Sequence, residues 1–154
     1  MKRYLPLLAL AAVAALAFPA AASAQSGHFV GTQTCTDIGT QVQCSGKVAG
    51  LGGTTFTITV AAQGTASVEC ANPAGNVAPG QAFDFAAQGS SGPFATPRNG
   101  QSPYTVTTNA PSAPAGSCPN RKWTATVTDV AFTTATITLF EDSTASDSET
   151  VPVS

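Results

Sequence analysis

The residues able to do chemistry are few, and their spacing argues against most of it. The 154-residue chain holds one histidine, four cysteines and eight carboxylates. A hydrolytic triad needs a base that takes up and releases a proton near neutral pH, held rigidly against its nucleophile. His28 is the one histidine, and it lies just after a predicted cleavage point at Ala24, where it reads as an exposed terminal residue. Asp37, Glu69, Asp84, Asp129, Glu141 and Asp142 fall on or near predicted strands. A glycosidase needs two acids facing each other across a cleft, one with a raised pKa. No pair here is recommended by spacing, and Glu69 and Asp84 fall out of phase with their apolar neighbours, which points them to solvent. Glu141, Asp142, Asp147 and Glu149 form the one acidic cluster. It lacks the alternating ligand pattern of a calcium loop and reads as a solvated acidic segment. Gly50, Gly52 and Gly53 precede a strand rather than a helix, so they form no phosphate-binding loop.

Binding is the chemistry that remains. Trp123 alternates with Ala125 and Val127, which predicts a core position. Phe94, Arg98 and Tyr104 lie in or beside a Gly-, Pro- and Ser-rich stretch at 88–103, and are the candidate ligand contacts. A second such stretch covers 109–117; both read as long exposed loops, where sandwich proteins often display ligands. No cofactor or metal site is implied, because no C-x-x-C occurs and histidine is almost absent.

The compartment follows from the first twenty-four residues. Lys2 and Arg3 precede an apolar run from Leu5 to Phe18 broken only by Pro6, and Ala22-Ser23-Ala24 is a small-x-small cleavage pattern. The run is shorter than the roughly 20 residues a spanning helix needs. Residues 1–24 therefore read as a cleaved signal peptide and 25–154 as a single exported domain, secreted or envelope-associated, with no membrane insertion afterwards. Four basic residues then remain (Lys47, Arg98, Arg121, Lys122) against eight acidic ones, a formal charge of −4. That balance excludes a nucleic-acid partner, which demands a clustered basic surface. Arg121-Lys122 reads as a solvated loop. In an oxidising compartment Cys35, Cys44, Cys70 and Cys118 predict two disulfides. Three pairings can be drawn; a hairpin around Gly39 favours Cys35–Cys44, which leaves Cys70–Cys118. By loop entropy the short bridge stabilises by about 2.7 kcal/mol and the long one by about 4 kcal/mol.

The elements that must position these residues are strands. Phe56, Ile58 and Val60 alternate with threonines, Ala66, Val68 and Cys70 repeat the pattern after a predicted turn at Gln63-Gly64, and Phe83, Phe85 and Ala87 do so again. Trp123–Thr128 and Ala135–Leu139 read as two further strands. His28–Thr34, the region from Val42 to Val48, and Tyr104 with Val106 are shorter candidates. Threonine opposite an aliphatic face suits a sheet with one wet side. Period-two alternation with turn residues between the runs predicts an all-β, immunoglobulin-like antiparallel β-sandwich of seven to nine strands. The acidic segment at 141–150 is expected as a solvated loop or frayed tail, with a last edge strand at Val151–Val153.

CSGKVAGLGG (44–53), ECANPAGNVAPGQ (69–81) and CPNRKWTATVTDVAFTTATITL (118–139) together resemble a set of small secreted bacterial proteins. The resemblance implies a two-disulfide β-sandwich and no particular activity. The chain also invites comparison with the neocarzinostatin-type apoproteins, whose second disulfide is tight; the wide spacing of Cys70 and Cys118 departs from that pattern, so no site residue is carried over. The function expected is non-catalytic, by binding or structural contact with a protein or glycan at the cell surface. A carbohydrate or small-ligand module using the 88–104 loop is the alternative, and a carboxylate-dependent hydrolase comes third.

Overall fold

A computed structural model describes residues 26–154. The signal-peptide expectation for 1–24 lies outside the described residues. The chain forms β1 (His28–Asp37), β2 (Val42–Ala49), β3 (Thr55–Ala71), β4 (Val77–Pro79), β5 (Phe83–Ala95), β6 (Ser102–Thr107), β7 (Thr124–Glu141) and β8 (Thr144–Pro152). All pairings between these strands are antiparallel, and they make two sheets. One has the order β1-β2-β6. In the other, β3 is central, with β7 and then β8 on one side and β5 and the short β4 on the other. The result is a β-sandwich. No helix of the described residues is long and apolar enough to cross a membrane.

The core is the set of inward positions that alternation predicts. Val42, Cys44, Val48 and Val106 come from the first sheet, and Phe56, Ile58, Val60, Ile137 and Leu139 from the second; all are buried. Each fully buried aliphatic side chain contributes about 1.5–3 kcal/mol relative to exposure. The opposite face of β3 carries Thr55, Thr57 and Thr59, which are only partly covered.

Three expectations about elements are corrected. Gln63-Gly64 is not a turn: β3 runs straight through it for 17 residues. Gly64 sits at an inward position whose volume is taken by its neighbours, since a Cβ there would lie 2.7 Å from Val130 Cγ1 and 2.9 Å from Phe132 Cδ1. The two strands predicted around Trp123–Thr128 and Ala135–Leu139 are one, β7, of 18 residues. Its register against β3 shifts twice, near Thr128 and near Thr133-Thr134, and each bulge turns the inward phase over. Inward positions thus pass from Val127 to Val130 and Phe132, then to Ala135, which is why the alternation looked broken. Finally, 88–95 is no loop. It extends β5 along β3, with Gln88 opposite Ala61 and Phe94 opposite Phe56, around an irregularity at Gly92-Pro93. Proline and glycine are tolerated there because β5 is an edge strand.

The acidic segment is also not a free loop or tail. β7 and β8 form a hairpin closed by Asp142 and Ser143, whose φ values of 45° and 72° are both positive, as a type I′ turn demands. The sandwich is stitched along its two open sides. Ser154 N–H donates to the Cys35 carbonyl at 3.1 Å and Asp37 N–H to the Ser154 carbonyl at 3.0 Å, tying the chain beyond β8 to β1. On the other side Asn109 N–H donates to the Gln88 carbonyl at 2.7 Å, and Gln88 N–H donates back to Asn109 Oδ1 at 2.7 Å.

Candidate functional site

The candidate carboxylates serve the backbone. Glu141 continues the inward phase of Ile137 and Leu139 and has no exposed surface. Its Oε1 accepts from the backbone N–H groups of Gly52 at 2.7 Å and Gly53 at 3.1 Å, and its Oε2 from that of Gly27 at 2.9 Å. Burial pushes the carboxyl pKa up, but these backbone donors, with the Ser146 hydroxyl, outweigh it and hold the group below the ordinary glutamate value. Asp142 is exposed and is held down to about 2, first by the Thr54 hydroxyl and then by the N–H groups of Thr55 and Thr54. Asp147 Oδ2 accepts from Phe29 N–H at 2.8 Å. One hairpin of acids therefore gathers the start of β1 and the β2–β3 connection. Glu69, Asp84 and Asp129 are exposed on the outer surface. No group of three or more His, Cys, Asp or Glu able to hold a metal occurs among the described residues.

The structure does not bring Phe94, Arg98 and Tyr104 together on one surface. Phe94 is 46% exposed on β5, its ring 5.6 Å from that of Phe56. Arg98 is exposed in the connection to β6. Tyr104 is buried: its hydroxyl donates to Gln33 Oε1 at 2.8 Å, and the Gln33 amide donates to the carbonyls of Val30 and Gly31, both at 3.1 Å. Burial, with a smaller effect of the Glu149 charge, pushes the phenol up to about 12. An exposed contact at Tyr104 is thereby corrected; it occupies an inward phase of β6 with Val106.

A cleft opens elsewhere, along the connection between β6 and β7. It has a volume of about 640 Å³, and its lining includes Ser117, Cys118, Asn120, Arg121 and Trp123. The connection is long but anchored. Cys118 is bonded to Cys70 on β3, while Cys35 and Cys44 make the other bridge, across β1 and β2. The Ser117 hydroxyl donates to the Pro114 carbonyl at 2.8 Å, and Gln81 N–H donates to the Ser117 carbonyl at 2.8 Å. Asn120 Oδ1 accepts from Lys122 N–H at 2.9 Å, closing the turn that delivers Trp123 to the start of β7.

Trp123 is half-buried rather than a core residue. Its alternation with Ala125 and Val127 is real, but all three are only partly covered. A signal was present in the sequence: the one tryptophan directly follows the one basic pair of residues 25–154, behind a cysteine flanked by proline. The cleft offers an aromatic ring, a guanidinium and a side-chain amide, and no carboxylate lines it. These groups can stack, donate hydrogen bonds and attract negative charge. No family model matches the chain, and no curated protein or solved structure matches it either.

Proposed function

We propose that the protein is an exported, non-catalytic binding domain that engages its ligand at the cleft formed by the β6–β7 connection and Trp123. The observation that carries this reading is a cleft within the size range of small-ligand sites, lined by an aromatic and a free cation and fastened to the core by a disulfide. Two disulfides in a small all-β chain fit an oxidising, extracellular setting. The non-catalytic part of the proposal is supported by the carboxylates: Glu141 and Asp142 are committed to backbone donors, and none lies in the cleft. Passage of the chain between sheets at β2–β3, β5–β6 and β6–β7 supports an immunoglobulin-like sandwich, and with the disulfides it supports kinship with the small secreted bacterial proteins that the sequence resembles.

The reading is tested by amide NMR spectra of residues 25–154 recorded against a panel of soluble glycans and small organic acids. A saturable ligand is expected to shift the amides of 113–123 first. Shifts confined to the 88–104 segment would move the site back to β5 and its connection, and overturn the assignment.

A further inference from the structure

We infer that the cleft selects a carboxylated sugar, the uronic-acid unit of an acidic polysaccharide; this rests on the cleft's being the binding site. Charge favours an acid. Residues 25–154 carry four cations and eight carboxylates; one of those cations, Arg121, lines this cleft, and Lys122 is its neighbour in the chain. No carboxylate lines it, so the cleft is a positive spot on a negative molecule. Among the described residues the Arg121 guanidinium has no carboxylate partner, and Arg121 is exposed. A guanidinium presents paired N–H donors in a plane that matches a carboxylate two-for-two.

The ring favours a sugar. Trp123 offers an apolar face with a single N–H at its edge, which suits a partner that is apolar on one side and wet on the other. A pyranose has that character: C–H groups on its face and hydroxyls around its rim. Asn120 uses its Oδ1 on Lys122 N–H, which leaves its amide N–H₂ to donate to such hydroxyls. Ala113, Ala115 and Gly116 along the lining keep the walls low, so a chain of sugars can enter and leave the open cleft. A flat aromatic acid would bury more of its surface in an enclosed slot, and this cleft is open.

The test is calorimetric titration of residues 25–154 with a short oligogalacturonate and with its neutral methyl ester. Removing one charge-assisted hydrogen-bonded pair corresponds to about tenfold or more in affinity, so the acid is expected to bind at least about tenfold tighter than the ester. Arg121→Gln should abolish that preference, Trp123→Ala should weaken both ligands, and Trp123→Phe should restore much of the loss. Arg98→Gln, a cation elsewhere, should leave the preference intact, and far-UV circular dichroism checks that each variant folds. Equal affinity for acid and ester, lost in Trp123→Ala, would overturn the uronate inference while the cleft stands. Tight binding of an aromatic acid with no binding of the oligogalacturonate would do the same. Oligogalacturonate binding that neither substitution alters would overturn the inference and the cleft together.

Discussion

Glu141 and Tyr104 show how a single buried polar residue is tolerated only when every polar atom is answered. Glu141 has three backbone donors on its two oxygens, so its charge is stabilised where burial alone would neutralise it. Glu141→Gln replaces charge-assisted bonds and sets an amide N–H₂ against N–H donors; a loss of about 2–3 kcal/mol is expected in urea unfolding. The pH dependence has a definite sign. The folded pKa values of Glu141 and Asp142 lie below their unfolded values of 4.5 and 3.8, so their stabilisation is present above those values and is lost as pH falls through the folded ones. For Asp142 that window runs from about 4 down to about 2. Urea midpoints should therefore fall across this range, and less steeply in Asp142→Asn. Tyr104→Phe leaves Gln33 Oε1 without its donor, and a loss of about 1–2 kcal/mol is expected with ligand binding unchanged. Glu141's burial was readable in principle, because it shares the odd phase of Ile137 and Leu139. The run of acids after it hid that phase by suggesting a solvated loop.

Strand existence was legible from alternation, and strand length was not. β7 turns its phase over at two bulges, so a pattern that assumes unbroken period two splits it. β3 never changes phase, but Gly64 imitates a turn signal. That glycine marks close packing between strands rather than a reversal, the other meaning glycine has inside a sheet. Gly64→Ala should cost about 1–3 kcal/mol, because its Cβ would meet Val130, Phe132 and, at 2.9 Å, the Ala131 carbonyl oxygen, which cannot move without breaking register. The midpoint of urea unfolding measures this, and an unchanged midpoint would show that β3 and β7 do not approach as described. The β5 extension was hidden because Gly, Ser and Pro are read as loop formers, whereas an edge strand accepts them. The cleft was missed for an element-scale reason too: Trp123 is only partly covered, and alternation reports phase without reporting cover.

At the scale of the molecule, the β6–β7 connection is the longest link between strands among the described residues. The Cys70–Cys118 bridge fastens it to β3. Both disulfide pairs were readable from spacing, since strands β1 and β2 pair Cys35 opposite Cys44 across a hairpin. Replacing Cys70 and Cys118 together by alanine is expected to cost about 4 kcal/mol, from the loop entropy returned to the unfolded chain, and to loosen the cleft. The one tryptophan lines an open cleft beside Arg121, with Lys122 between them in the chain. Quenching of its fluorescence by iodide and by caesium tests this without any knowledge of the ligand. Iodide should quench Trp123 more strongly than caesium, and the difference should vanish when Arg121 and Lys122 are both changed to glutamine. Failure of both ions to quench would place Trp123 in the core, away from any open cleft.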